Sequence, residues 1–189
     1  MTTPSARSEN RGSAPAGRDA VVAAVLGSAA ELFAERGPTA TSIRDIAERA
    51  GVNHGLVFRH FGAKENLVGA VLDHLGIASA DTGVLTRQSI HDPQLRLHWM
   101  VLARCILDGY PVGQLQERFP VMSQLLDIAR EHHDDDRAAE LAVAHLAAFE
   151  LGWQLFGPFL RTASGLQDIS DADLHRDIDR ESRRILNLD

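Results

Sequence analysis

Cysteine is nearly absent from this 189-residue chain, since Cys105 is the only one. A single thiol cannot form an intramolecular disulfide or a thiolate metal cage. No apolar run approaches the ~18 residues that a membrane span requires, and the first ten residues lack the apolar segment of a secretory signal. These absences favour a cytoplasmic protein that is neither exported nor inserted into a membrane.

Alternation of apolar and polar residues is also lacking, so the sequence predicts no strands. Apolar residues instead recur every three or four positions, which is typical of amphipathic helices. Helices are predicted over 18–36, 43–50, 53–61, 64–79, 94–109, 114–131, 136–162 and 171–187. The predicted fold class is therefore all-α.

The distribution of charge suggests a division of the chain. Residues 1–17 have no apolar side chain larger than Met1 and predict a flexible tail. The formal net charge is −7, but residues 42–64 contain four basic residues against two acidic ones. Contact with a polyanion is therefore expected in that stretch. Beyond the tail we predict a three-helix domain at 18–64 and a larger helical domain at 65–189.

The three-helix domain contains the pattern of a helix-turn-helix. Ser42 and Asp45 have the spacing of a capping box, Gly51 suits the left-handed residue that ends a helix, and Asn53 is a good N-cap for the next helix. Such a motif can present its second helix to the major groove of DNA. The same spacing also fits an ordinary helical hairpin inside a bundle, so it leaves both interpretations open.

The residues themselves are more specific than their spacing. The first helix ends in L-F-A-E-R-G, the centre of the motif is I-A-E-R-A-G-V, and it closes in F-R-H-F-G-A-K-E-N-L. Over about 18–67 the sequence resembles the TetR family of bacterial transcriptional regulators. The resemblance implies a homodimeric repressor of double-stranded DNA with an all-helical domain for ligand binding and dimerisation. The two-fold symmetry of a dimer predicts a near-palindromic operator.

The resemblance also assigns residues to the DNA. The matching positions are Arg44, Asn53, His54, Gly55, Phe58, His60 and Lys64. Arg44 and His54 can donate hydrogen bonds to guanine acceptors, whereas His60 and Lys64 match phosphate contacts. Phe58 stands where the family usually has tyrosine, so its ring can pack but cannot form the phenol hydrogen bond.

The resemblance implies an unknown small-molecule effector, which the apolar composition of 94–162 suggests is largely apolar. The candidate pocket residues are Trp99, Met100, Phe119, Met122, His145, Phe149 and Trp153, with His98 or Gln124 as further polar contacts. Their helical spacing fits a filled apolar core equally well. The dimer interface is predicted on the last two long helices. The candidates are Ala148, Gly152, Phe156, Leu174, Ile178 and Ile185.

Three alternatives compete with these hypotheses. The run from His132 to Asp136, H-H-D-D-D, resembles a metal site, but neighbouring side chains on a helix diverge and acidic residues favour a helix N-terminus. We therefore predict a helix cap there and no metal. An enzyme is disfavoured because no G-x-S-x-G, phosphate-binding glycine loop or H-E-x-x-H is present, so no cofactor is expected. A helical adaptor that dimerises without binding DNA is the third alternative.

Overall fold

The computed structural model describes residues 17–81, 92–116 and 118–188, and every regular element in those ranges is a helix. The helices are α1 (Arg18–Arg36), α2 (Ile43–Arg49), α3 (His54–Phe61), α4 (Lys64–Asp81), α5 (Pro93–Leu107), α6 (Val112–Leu115), α7 (Pro120–His132), α8 (Asp136–Ala163) and α9 (Asp171–Ile185). The all-α prediction is confirmed. The predicted tail at 1–17 lies outside the described residues, apart from Gly17.

The prediction of one continuous helix over 114–131 is wrong. The chain forms the short α6, leaves helical geometry after Leu115 and begins α7 at Pro120. Proline has no backbone N–H and suits the first position of a helix. It also pushes the preceding residue out of the helical region, and Phe119 has φ −121° and ψ 66°. The apolar periodicity continues across this break because it reflects only the polarity of the side chains. It carries no information on the backbone constraint that proline imposes.

One hydrophobic core joins the first five helices. It contains Phe33 of α1, Ile46 of α2, Val57 of α3, Leu72 of α4 and Val101 of α5, none of them exposed to solvent. Because α1 packs against both α4 and α5, the helix-turn-helix is supported by the rest of the chain. The expected boundary near residue 64 is thus crossed by continuous packing.

A second core holds α5, α7 and α8 together through Trp99, Leu125 and Leu146. The buried residues of the 28-residue α8 all lie in its first half, between Ala139 and Leu146. Its second half carries partly and fully exposed side chains and packs along α9. None of the described helices combines the length and apolar character needed to cross a bilayer.

Candidate DNA-binding and ligand sites

The start of α2 is fixed by local hydrogen bonds. The Asp45 backbone N–H donates to Ser42 Oγ at 3.2 Å, and the Ser42 N–H donates to Asp45 Oδ2 at 2.9 Å. This confirms the predicted capping box. Arg36 at the end of α1 donates to the same Asp45 oxygen at 2.8 Å. The Ser42 backbone N–H, more than the nearby arginine, lowers the pKa of Asp45, so the carboxylate that locks α2 onto α1 is ionised at neutral pH.

The second helix of the motif is held by one buried residue and one cap. Asn53 Oδ1 accepts a hydrogen bond from the Gly55 N–H at 2.8 Å, and Val57 is fully buried. Gly51 in the turn has φ +66°, as predicted for the left-handed end of α2. These contacts leave His54, Gly55, Phe58 and Arg59 exposed, and the Phe58 ring is 67% exposed. The helix therefore presents a continuous outer face, which we call the α3 face (His54, Gly55, Phe58 and Arg59).

The basic residues of the motif have two different roles. Arg49 donates to both Glu35 carboxylate oxygens, at 2.7 and 3.0 Å, and fastens α2 to α1. The charge of Arg49 is therefore neutralised by Glu35 within the protein. Arg49 does not contribute to the positive patch, although the count of basic residues over 42–64 includes it. Arg44, Arg59 and Lys64 have no ion-pair partner within the described ranges. These three side chains supply the positive charge of the surface.

His60 and Lys64 lie beside the α3 face and not within it. His60 is half-buried, with its ring edge-to-face against Phe61 at 6.4 Å between centroids. Lys64 is the first residue of α4. A lysine at a helix N-terminus lies next to free backbone N–H donors, which is a favourable arrangement for a phosphate.

A cavity of about 270 Å³ lies between α5, α6, α7 and α8. It is lined by His98, Trp99, Leu102, Ile106, Val112, Gly113, Gln116, Phe119, Pro120, Val121, Met122, Ala147 and Leu151. Three predicted pocket residues, Trp99, Phe119 and Met122, thus meet in one cavity, together with His98. Among the described residues, no lining side chain is a carboxylate, a lysine or an arginine.

The other predicted pocket residues lie elsewhere. Met100 does not line the cavity, and His145 is exposed on α8. Gln124 donates to the Ala80 carbonyl at the end of α4. Phe149 and Trp153 stack edge-to-face on α8 and pack against α9. Periodicity placed these side chains on helices correctly, but it could not show which neighbouring helix each one faces.

Sequence reasoning missed several cavity residues, among them Gln116, Ile106 and Leu151. Gln116 ends α6 and lies in the break before α7, within the stretch 114–131 that the sequence predicts as one helix. Pro120 was the available sign that the helix is interrupted shortly after Gln116, because proline constrains the residue before it. Leu151 belongs to α8, and its position between Phe149 and Trp153 in the sequence gives no sign that it faces a cavity.

The predicted dimer residues fall into two groups. Ala148 and Phe156 are exposed and Gly152 is partly exposed on α8. Leu174 and Ile178 are buried within the chain against Phe149 and Trp153. A third α9 residue, Ile185, is half-buried against the second core. Among the candidates, those on α8 therefore face outward and those on α9 face their own chain.

Burial shifts the pKa values of two groups of α5, His98 and Cys105. Burial lowers the pKa of His98 to about 4, so this imidazole is neutral at physiological pH. Its ring Nδ1 has no hydrogen-bond partner among the described residues. Burial, with a smaller effect of the Asp108 carboxylate, raises the pKa of Cys105 to about 12. The thiol is therefore protonated and unreactive, as a buried core cysteine is expected to be.

The acidic run between α7 and α8 forms a helix cap. Asp135 accepts a hydrogen bond from the Ala138 N–H at 2.8 Å, which confirms the cap interpretation. His133 Nδ1 lies 2.8 Å from the Ala129 carbonyl at the end of α7. Across residues 17–81, 92–116 and 118–188, no three His, Cys, Asp or Glu side chains come together as metal ligands would.

Comparison with known proteins agrees with this geometry. Residues 25–71 match the family of bacterial regulatory proteins called the tetR family. The chain is 54% identical over 175 residues to the HTH-type transcriptional repressor Rv3405c of Mycobacterium tuberculosis, which covers 91% of this chain and 92% of that protein.

Solved structures show the same fold. A tetR-family transcriptional regulator from Streptomyces coelicolor superposes with a TM-score of 0.63 at 19% identity, covering 90% of this chain and 82% of that one. A regulator of the same family from Mesorhizobium loti gives 0.58 at 20% identity, covering 90% and 98%. The enzyme and adaptor alternatives are not favoured by these relatives, which are transcriptional regulators. From its helix-turn-helix and its nearly full-length likeness to a repressor, this chain belongs to the TetR family of helix-turn-helix transcriptional regulators.

Proposed function

We propose that the protein is a cytoplasmic repressor that binds a near-palindromic operator as a homodimer and is released by a small, largely apolar molecule. Residues 18–64 act as the DNA-binding unit, and residues 65–189 bind the ligand and form the dimer. The observation that carries the proposal is the α3 face, which is exposed and flanked by the unpaired cations Arg44 and Lys64. A short helix anchored by one buried valine and left open outward suits the major groove.

The side chains on this surface have separable roles. His54 opens α3 and Arg44 extends from α2, and both can donate to guanine acceptors. The side-chain oxygen of Asn53, Oδ1, accepts a hydrogen bond from the Gly55 N–H. The NH2 group of the same side chain therefore remains available to donate to DNA. Gly55 allows the backbone to approach the DNA closely. The exposed Phe58 ring suits apolar contact with a thymine methyl group.

Removing a base contact should affect specificity, whereas removing a phosphate contact should affect all DNA. We expect Arg44→Ala or His54→Ala to weaken binding to the operator by about 1–3 kcal/mol and to spare random duplexes. Lys64→Ala should weaken both and reduce the salt slope by about one unit. Fluorescence anisotropy on an operator selected from random duplexes measures these effects at several salt concentrations.

Arg180→Ala, at an exposed arginine on α9, is the matched control and should leave both affinities unchanged. Equal losses on operator and random DNA for all three variants of the motif would contradict the division into base and phosphate contacts.

A second copy of this chain is the proposed partner of α8. Its outward stripe, Leu141, Ala144, Ala148, Gly152, Phe156 and Phe159, repeats every three or four residues. Phe156 and Phe159 are 55% and 67% exposed, and a Cβ on Gly152 would meet no atom within 4 Å. A helix face with small residues in the middle and exposed rings beyond suits close packing against its own copy across a two-fold axis.

Charging this stripe should separate the subunits. We expect Phe156→Asp to sediment as a monomer at micromolar concentration and to bind the operator at least tenfold more weakly, because each monomer then contributes only one recognition helix. Ile77→Asp, at an isoleucine of α4 that is 48% exposed, is the control and should remain dimeric. A wild-type protein that is monomeric yet binds its operator tightly would contradict the dimer.

Two contacts support coupling between the cavity and the DNA-binding unit. The first is the packing of α6 on α4, where a Cβ on Gly69 would lie 2.4 Å from the Leu115 carbonyl oxygen. The second joins the end of α5 to the turn between α1 and α2, because Asp108 Oδ2 accepts a hydrogen bond from the Thr39 N–H at 2.7 Å. Both contacts involve residues close in sequence to the cavity lining, since Asp108 lies shortly after Ile106 and Leu115 lies shortly after Val112.

A ligand can act through these contacts by shifting a conformational population. Occupancy of the cavity would favour a state in which α6 presses on α4, so that α4 tilts and moves the two α3 faces out of register. The shift is limited by the difference in ligand affinity between the two states. A tenfold loss of operator affinity requires a coupling of about 1.4 kcal/mol.

A further inference from the structure

The end of α5 places a carboxylate on the turn between α1 and α2. Asp108 follows α5 as its C-cap, and its Oδ2 accepts a hydrogen bond from the Thr39 backbone N–H at 2.7 Å. The two residues are 69 positions apart in the sequence, so the bond joins the DNA-binding unit to the larger helical part of the chain. Carboxylates are strong acceptors for backbone N–H donors.

The same carboxylate occupies space that a side chain at residue 37 would need. A Cβ on Gly37 would lie 2.6 Å from Asp108 Oδ2 and 3.2 Å from its Cγ. Gly37 is buried and has φ +80°, a conformation that glycine adopts at little cost. The turn and the carboxylate therefore fit each other through packing as well as through the hydrogen bond.

The backbone at the end of α5 holds this carboxylate in place. The Asp108 N–H donates to the Arg104 carbonyl at 2.9 Å, which continues the helical hydrogen bonds to the cap. The Tyr110 N–H donates to the Cys105 carbonyl at 2.9 Å, and Cys105 is fully buried in the core that joins the first five helices. The Asp108 side chain is thus exposed, but the backbone that carries it is anchored.

The turn connects this contact to α2. Two residues after Thr39, the buried Thr41 donates through Oγ1 to the Gly37 carbonyl at 2.8 Å. The next residue, Ser42, is the N-cap of α2, and Arg44 lies in the first turn of that helix. A series of short contacts therefore links the carboxylate to a residue that the proposed function places on the DNA.

From these contacts we infer that Asp108 is a positioning residue for DNA recognition, whose carboxylate fixes the α1–α2 turn and thereby the direction of α2 on the operator. The inference rests on the proposed function, because it names a residue outside the helix-turn-helix that orients this motif for its operator. A binding surface that is fixed before association loses less freedom on binding and so binds more tightly. Both subunits of the proposed dimer carry the contact, so its loss counts twice.

Two substitutions at Asp108 separate the hydrogen bond from the charge. Asp108→Ala removes both, whereas Asp108→Asn keeps an acceptor oxygen and removes only the charge. We expect Asp108→Ala to weaken operator binding about tenfold and Asp108→Asn to stay within about threefold of the wild type. Anisotropy on random duplexes measures the effect of the lost charge, which both variants share. Equal operator affinities of the two variants would contradict the hydrogen bond as the cause.

The Thr39 amide reports the contact directly. Hydrogen exchange at this amide, followed by NMR, should be about tenfold faster in Asp108→Ala than in the wild type, with the amides in the middle of α8 unchanged. Unchanged exchange at Thr39 would refute the contact. Faster exchange with undiminished operator affinity would refute the positioning role.

A variant in the second core tests whether Asp108 acts only through stability. Val143 is 1% exposed, so Val143→Ala leaves a gap in a packed core and should lower the urea midpoint markedly. Asp108→Ala should lower it less, because the Asp108–Thr39 bond is exposed and such bonds contribute modestly to stability. Val143→Ala should nevertheless bind the operator as the wild type does. Equal losses of operator affinity in both variants would reduce Asp108 to a structural residue.

Gly37→Ala tests the packing independently. In the wild-type background the added Cβ should displace the carboxylate from Thr39, whereas in the Asp108→Ala background there is no carboxylate to displace. The strain of the positive φ is the same in both backgrounds. Gly37→Ala should therefore lower the urea midpoint less in the Asp108→Ala background than in the wild type. Equal decreases would show that the carboxylate does not occupy this space.

These measurements distinguish a failure of the inference from a failure of the proposed function. If the wild type bound no duplex, the proposed repressor would be refuted and the positioning role with it, while exchange at Thr39 would still report the contact. If the wild type bound its operator and Asp108→Ala bound it equally tightly, only the inference would be refuted.

Discussion

Replacing Gly69 by alanine is expected to lower the free energy of unfolding by about 1–3 kcal/mol, the usual cost of an overpacked contact. An alanine Cβ would lie 2.4 Å from the carbonyl oxygen of Leu115. The obstacle is backbone, so it cannot rotate aside as the end of a flexible side chain can. α6 would have to move away from α4, and chemical denaturation of the purified variant measures the cost.

The same substitution at Gly27 separates the contact from helix propensity. Gly27 lies in the interior of α1, and a Cβ there would meet no atom within 4 Å. Gly27→Ala should therefore raise stability by about 0.5–1 kcal/mol, because alanine loses less conformational freedom in a helix than glycine does. If Gly69→Ala raised the stability as much as Gly27→Ala does, α6 would not be packed tightly on α4. The proposed coupling between the cavity and the DNA-binding unit would then lose this support.

Replacing His98 by phenylalanine is expected to remove a pH-dependent part of the stability worth about 3 kcal/mol. The pKa of His98 is about 4 in the folded protein, against an ordinary value of 6.5. Between these values the unfolded chain binds a proton that the folded protein does not, so stability falls as the pH is lowered from 6.5 to 4. Below about pH 4 both states bind the proton and the loss is complete.

Comparing the two proteins isolates this group. Burial raises the pKa of Glu150, which favours folding as the pH falls, but this contribution is common to wild type and variant. The free energy of unfolding, measured by urea titration from pH 7 to pH 4, should therefore fall more steeply for the wild type than for His98→Phe. Parallel curves over that range would show that His98 is not desolvated in the folded protein.

The local features of the motif could be predicted from the sequence because each depends on residues close together in the chain. The capping box joins Ser42 and Asp45, three positions apart, and the Asn53 cap joins residues two positions apart. The left-handed Gly51 is a property of a single backbone position. Interactions of this range have few alternative partners, so residue type and spacing are sufficient to specify them.

The partners of side chains that reach across the fold could not be predicted in this way. The pairing of Arg49 with Glu35 decides which cations face outward, and it depends on how α2 crosses α1. Phe149 and Trp153 of α8 face α9, whereas Trp99 of α5 faces the cavity. The apolar periodicity of the two helices does not distinguish these cases.

By itself, then, the sequence determined the all-α fold class, the caps of the helix-turn-helix and the family to which the chain belongs, but not the break between α6 and α7. Only the tertiary structure decided which side chains share a cavity, that His98 Nδ1 is buried without a partner among the described residues, and that α6 rests on α4 at Gly69. The physical reason is that periodicity gives the direction of a side chain around its own helix axis. What that side chain meets depends on the placement of the neighbouring helices, which many residues fix together through packing.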